Sequence, residues 1–206
     1  MKVTRLTTPV MGSNCYVLIS SGQAVIIDPI PSKKITELCE AESASITAIL
    51  LTHGHFDHML GVDFFREHTP DAKIMIHADD AELMCDSNKN AFYTIYGKSY
   101  DFGTPDKILI KGDEIQLSKK VLQVIHTPGH TKGSVCYKVG NILFTGDTIM
   151  ENGYGRCDLY SGDEGAMSNT LKQLYELSYR EPEIVIYPGH GKPALLSDAI
   201  NNIYNR

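Results

Sequence analysis

Several things the 206-residue chain lacks narrow its function before any motif is considered. Basic clusters are absent: only Lys33-Lys34 and Lys119-Lys120 place two cations side by side, and the formal net charge is −6. Phosphate backbones are held by a basic footprint, so a nucleic-acid partner is not expected. There is no run of about eighteen apolar residues, so no membrane-spanning helix is expected. The opening residues Met1-Lys2-Val3-Thr4-Arg5 lack the apolar core of a secretion signal. Cysteine is sparse and unpaired in its spacing: Cys15, Cys39, Cys85, Cys136 and Cys157 form no framework. They read as free thiols in a reducing compartment, which makes a cytoplasmic location the expectation. Cys15 and Cys136 sit in strand-like runs as small hydrophobes, whereas Cys157, in a glycine-rich loop, is the one thiol with a reactive setting.

What remains is ample for a folded protein. Hydrophobic residues make up 42% and charged residues 21%, and the length fits one domain over 1–206. Apolar runs read as strands at 14–19, 24–28, 46–51, 73–77, 107–110, 121–126, 134–139, 141–145 and 183–187. Helical spacing marks 33–42, with Ser32 as N-cap, and 59–68, 78–85, 163–178 and 195–204. The run at 46–51 is nearly all apolar and is expected to be buried on both faces. Strands outnumber helices, and each strand-rich half finishes with helices, which suggests two sheets packed face to face with helices outside. Residues 86–104, with Tyr93, Tyr96, Tyr100 and Phe102 among polar neighbours, read as a packed surface connection more than as a loop over a site.

The chemistry concentrates in Thr52-His53-Gly54-His55-Phe56-Asp57-His58, directly after the apolar run at 46–51. Three imidazoles and a carboxylate fall within six positions, and both are ligand types for zinc and similar divalent ions. In extended chain, side chains at i and i+2 point the same way, so His53 and His55 can close on one ion. Asp57 and His58, past the bend, point elsewhere. Three further donors follow apolar strands beside glycine: His130 in Thr127-Pro128-Gly129-His130-Thr131, Asp147 in Gly146-Asp147-Thr148, and His190 in Pro188-Gly189-His190-Gly191. Strand ends are where a rigid scaffold gathers functional side chains on one edge. The remaining histidines read structurally: His68 at a helix end, His77 at a strand end, and His126 in the strand before His130.

These motifs, together with Asn14-Cys15-Tyr16 and Ile27-Asp28-Pro29, resemble the metallo-β-lactamase-fold hydrolases, and among them the short glyoxalase II-like thioesterases. The resemblance runs from about residue 10 to residue 193. It implies an α/β (α+β) fold, an αββα sandwich of two mixed β-sheets with helices on the outer faces. It further implies one ion held by His53, His55 and His130, a second by Asp57, His58 and His190, and Asp147 bridging them. Zinc is the foremost candidate, with iron and manganese compatible. The implied reaction is hydrolysis of a small thioester, such as an S-(2-hydroxyacyl)glutathione. A metal-bound hydroxide would attack the carbonyl carbon, and Asp57 would orient the nucleophile and take its proton.

A small-molecule substrate is thus the expected partner. Gly153-Tyr154-Gly155-Arg156-Cys157-Asp158 resembles the glycine-arginine segment of the short members. Arg156 could clamp a substrate carboxylate or pair with Asp158, while Tyr154 and Lys192 lie near the expected mouth. Only about fifteen residues follow Gly191, so the C-terminal helical domain of full-length glyoxalase II is expected to be absent. The residue at position 147 and the lack of a secretion signal disfavour antibiotic hydrolysis. A mononuclear iron persulfide dioxygenase and a lactonase are the competing activities.

Overall fold

The computed structural model describes residues 1–204. One six-stranded sheet runs in the order β1 (Lys2–Thr7), β2 (Asn14–Ser20), β3 (Gln23–Ile27), β4 (Ser45–Leu50), β5 (Lys73–His77), β6 (Lys107–Leu109). The other runs β12 (Ala194–Leu195), β11 (Val185–Pro188), β10 (Ile142–Gly146), β9 (Val135–Val139), β8 (Lys120–His126), β7 (Glu114–Leu117). Both sheets are mixed. In the first, β3 to β6 are parallel and β1 to β3 antiparallel; in the second, only β10 and β11 pair in parallel.

Strand alternation sorts the apolar side chains into three layers. Tyr16, Leu18, Val25, Ile27 and Leu50 face the second sheet, where they meet Val124, Val135, Tyr137 and Phe144. Their neighbours Val17, Ile26 and Ile49 turn outward under α1 (Lys33–Ala41), α2 (Val62–His68) and α3 (Phe92–Tyr96). On the far side, Leu143 and Ile186 pack against Met167, Leu171 and Leu174 of α4 (Glu164–Arg180) and Ile200 of α5 (Leu196–Tyr204). A strand covered on both faces has no reason to alternate polar with apolar, which is why these segments read as continuous hydrophobic runs. The result is the expected αββα sandwich of two mixed sheets.

Several local expectations are corrected. Ser32 precedes α1, but its side chain makes no capping hydrogen bond. Residues 78–85 wind as a 3₁₀ helix, Ala78–Cys85, whose tight turns direct Asp80, Leu83 and Met84 inward. The segment expected as one helix over 59–68 divides into a 3₁₀ turn, Phe56–His58, and α2. Burial of 46–51 on both faces begins only at Ala48. Strands β1, β7 and β12 have no counterpart in the apolar pattern because all three lie at sheet edges; β1 alternates exposed with half-buried residues.

Candidate metal centre

Loops at one edge of both sheets bring all seven expected donors together. His53 and His55 follow β4, His130 follows β8, and their donor atoms lie within 4.8 Å of one another. Asp57, His58 and His190 form a second group of the same span. Asp147, after β10, stands between them. Its Oδ1 is 3.5 Å from His58 Nε2, and its Oδ2 is 3.6 Å from His130 Nε2 and 3.5 Å from His190 Nε2. Asp57 Oδ2 approaches His190 Nε2 at 3.3 Å.

The orientation of these groups is set by residues behind them. Asp28 is buried at the end of β3 in a left-handed conformation (φ 51°), a strained setting for a side chain, and its carboxylate accepts three hydrogen bonds. They come from Thr52 N (2.8 Å), Thr52 Oγ1 (2.7 Å) and His58 Nδ1 (2.8 Å). Thr52 Oγ1, having spent its proton on Asp28, accepts from His53 Nδ1 at 3.1 Å. His130 Nδ1 donates to the Arg156 carbonyl at 2.7 Å. In all three rings the outward nitrogen is the donor, so Nε2 is the nitrogen turned to the cluster, the arrangement that supports a metal-binding imidazole.

A second buried carboxylate ties two ligand loops together. Asp80 accepts from Gly54 N (2.8 Å) and Thr131 Oγ1 (2.6 Å) through Oδ2, and from Gly133 N (2.7 Å) through Oδ1. The third loop is held from β2: Asn14 Nδ2 donates to the Pro188 and Gly191 carbonyls, and Tyr16 Oη donates to Pro188 O at 2.6 Å. Gly189 has to be glycine, because a Cβ there would collide with the Asp147 carboxylate and the His58 ring. Asp28 and Asp80 carry roles that motif reading did not assign. An acid closing an apolar strand was the available signal for Asp28, whereas nothing local marks Asp80.

The electrostatics fit a cation. Burial pushes the His53 imidazole well below its ordinary value, aided by His58 and His130. Burial, then His130, takes His55 down to about 3. For Asp57, burial works upward but His58 and His190 outweigh it and hold the carboxyl low. His58 is opposed by burial yet raised to about 10 by Asp57, Asp28 and Asp147. With no other cation, a proton on His58 thus compensates the carboxylates around it. His55 turns its Nδ1 to His130 Nε2 at 2.9 Å, whereas His53 Nε2 and Asp147 Oδ1 are buried without hydrogen-bond partners, which is costly unless something else coordinates them. Imidazole nitrogens and carboxylate oxygens in this number suit zinc, iron or manganese.

Above the donors lies a cleft. An inner chamber of about 320 Å³ opens over His55, Asp57, Asp147 and His190. An outer one of about 700 Å³ continues past Met150 and Tyr154. Residues 86–104 are more than the expected surface connection: Phe92 and Phe102 pack inward, while Ala91, Thr94 and Ile95 form one wall of the inner chamber. Arg156 lines that chamber but is paired with Asp158, and Tyr154 borders both chambers. Lys192 lines neither.

Cys157 is half-buried, and burial with Glu164 and Asp158 nearby raises its thiol, contrary to a reactive setting. His68 stacks on Phe64 at the end of α2, as a structural role requires. His77 and His126 stack at 4.3 Å with planes 11° apart, and with Asp79 they bring donor atoms within 4.8 Å. Parallel rings aim their lone pairs side by side instead of at one point. His77 Nδ1 already accepts from Asp79 N, and Lys132 Nζ sits 3.2 Å from the Asp79 carboxylate. This trio is therefore a weaker cation site than the central cluster.

Comparison with known proteins agrees with the geometry. A probable metallo-hydrolase of Bacillus subtilis is 32% identical over 196 residues, covering 93% of this chain and 90% of that one. A hydroxyacylglutathione hydrolase of Aeromonas salmonicida is 31% identical over 191 residues, covering 91% of this chain but 65% of the relative. Among solved structures, a B3 metallo-beta-lactamase, BLEG-1, aligns at TM-score 0.85 with 26% identity, over 97% of both chains. The protein TTHA1623, solved in a di-iron-bound form, aligns at 0.84 with 28% identity, over 99% of this chain and all of that one. Residues 8–190 match the family model described as the metallo-beta-lactamase superfamily, and the chain belongs to that superfamily.

Proposed function

We propose that the protein is a dinuclear metallohydrolase that cleaves small thioesters. The observation that carries the reading is Asp147, whose two oxygens lie between two histidine-rich donor groups with their lone pairs turned inward. A mononuclear iron centre would need only one of those groups and would leave the other buried with no task. Bound divalent ions would supply Lewis acidity and bring the pKa of water toward neutrality.

The chain's own residues do the rest. Asp57, ionised and hydrogen-bonded to His190, is placed to hold the proton of an attacking water, with Asp28 fixing His58 beside it. The cleft presents His190 to its mouth, 26% exposed, while His53 and His58 stay sealed, so substrate enters from the His190 side. Neither serine nor cysteine lines the cleft as a nucleophile. Thioester chemistry is favoured over other acyl bonds by the likeness to a hydroxyacylglutathione hydrolase.

The test combines elemental analysis with a panel of a thioester, a lactone, a β-lactam and a persulfide, the last followed by oxygen uptake. Two metal equivalents and selective thioester cleavage without oxygen consumption are expected. One equivalent with oxygen uptake would make the protein a mononuclear oxygenase, and preferential β-lactam turnover would align it with the lactamase it resembles in fold.

A further inference from the structure

The walls of the cleft carry information about the substrate that the donor cluster does not. The inner chamber is apolar above its floor, with Phe56, Ala91 and Ile95 on one side, Met150 and Leu159 on the other, and Met11 at the rim. Met11 is 58% exposed and Ile95 51%, so two large apolar side chains stand in water at the entrance to a polar centre. Such exposure is recovered when an apolar ligand group covers it.

Charge is the second feature. Among the described residues, Arg156 is the one Lys or Arg side chain lining either chamber. Its guanidinium faces Asp158, Nε to Oδ1 at 2.6 Å and Nη2 to Oδ2 at 2.7 Å, a bidentate but exposed pair that offsets its charge in part. The outer chamber adds Glu151 and Asn152, with His190 at its edge, and Arg5 Nη1 donates to the carbonyl of Gly191 on its border at 2.6 Å. Glutathione carries a carboxylate at each end of its tripeptide, on either side of the thiol-bearing cysteine, and among the described residues that line the two chambers these would meet Glu151 and no lysine or arginine other than the paired Arg156.

From these two observations we infer that the enzyme prefers thioesters with an apolar acyl group on a thiol carrier without carboxylates, and that the Arg156–Asp158 pair sets this preference. The inference rests on the thioesterase reading. Asp158 withholds Arg156 from the cleft, so it acts as a specificity residue without touching substrate. The acyl chain takes the inner chamber between Ile95 and Met150, and the carrier leaves through the outer chamber past Tyr154.

The experiment compares acetyl through hexanoyl thioesters on two carriers, glutathione and the uncharged N-acetylcysteamine, using the metal-loaded protein. The expected kcat/KM is about tenfold higher on the uncharged carrier and rises about two- to fourfold per methylene. Asp158→Asn is expected to shift the carrier ratio toward glutathione by about tenfold, because Arg156 becomes free to bind a carboxylate. Ile95→Asp, at a half-exposed position that folding does not depend on, is expected to flatten the chain-length series.

Equal or better turnover of the glutathione series by the unaltered protein, or a flat series, overturns the inference while leaving the thioesterase reading intact. If no thioester is cleaved, that reading fails, and binding of the hexyl thioethers of the same two carriers decides the inference alone. Tighter binding of the uncharged thioether supports it, and equal or weaker binding overturns it.

Discussion

The floor and the walls of the cleft are built on opposite terms. On the floor, His53, His58 and Asp28 are almost fully buried, and Asp28 alone accepts three hydrogen bonds that fix Thr52 and His58. On the walls, Met11, Ile95 and Tyr154 are each about half exposed, and their neighbours come from loops. A buried polar group must be matched atom by atom, because an unmatched one costs about 1–3 kcal/mol, so the floor tolerates little variation. An exposed apolar wall carries no such penalty and can change with the substrate. The chemistry is thereby separated from the specificity, and the two should respond to substitution on different scales.

The largest response belongs to the floor. Asp147→Ala removes the carboxylate between the two donor groups, and turnover is expected to fall at least about 10³-fold, since a lost charge-stabilising contact alone costs ~10²–10³. Metal content should fall from two equivalents toward one, with the circular dichroism spectrum retained. Undiminished turnover with full metal would show that the Asp147 bridge has no function. Asp80→Ala acts one layer behind. Gly54 N–H, Gly133 N–H and Thr131 Oγ1 lose their acceptor, so the protein should lose about 3 kcal/mol of stability and bind metal ~10–100-fold more weakly. Urea unfolding and chelator competition read the two effects separately. Ile95→Ala on the wall is expected to change stability by less than ~0.5 kcal/mol.

The same contrast decides what could be read from the residues alone. The continuous apolar runs and the histidines that follow them were legible because burial on two faces and a cluster of metal-donor side chains both restrict residue type within a short window. That is why the sandwich and the seven gathered donors follow from the sequence. Asp80 was not legible, since it sits in the first turn of a 3₁₀ helix and its partners are 26 to 53 residues away in the chain. The double role of 86–104, packed on one side and lining the cleft on the other, is hidden for a related reason. Phe92 and Phe102 face the core while Ile95 faces the cleft, and a five-residue helix is too short to show that division as periodicity.

Acid and alkali should separate the floor's two kinds of histidine in the metal-free protein. His55 is held at about 3 when folded, below its value in the unfolded chain, so the unfolded state binds more protons between the two. Its contribution to stability is therefore present above about pH 6.5 and lost as pH falls toward 3. His58 runs the other way. Raised to about 10 by its carboxylates, it stabilises fully below about pH 6.5, and that contribution is lost as pH rises through 10. The melting temperature of the metal-free protein should peak between these limbs. Saturating metal should lift the alkaline limb most, because ligation replaces the proton that His58 otherwise loses. An alkaline limb unchanged by metal would place the cation away from His58.

The smallest predicted effect is a control on the walls. Lys192 stands next to Gly191 at the edge of the His190 loop, is exposed, and lines neither chamber. An exposed lysine near a charged ligand contributes ~0–1 kcal/mol, much of it screened by salt. Lys192→Ala should therefore alter kcat/KM by no more than about twofold on either thiol carrier. A loss of about tenfold confined to glutathione thioesters would mean that the lysine folds over the outer chamber and grips a carboxylate. The walls would then be cationic in the working enzyme, and the separation of a rigid charged floor from a neutral adaptable wall would fail at that residue.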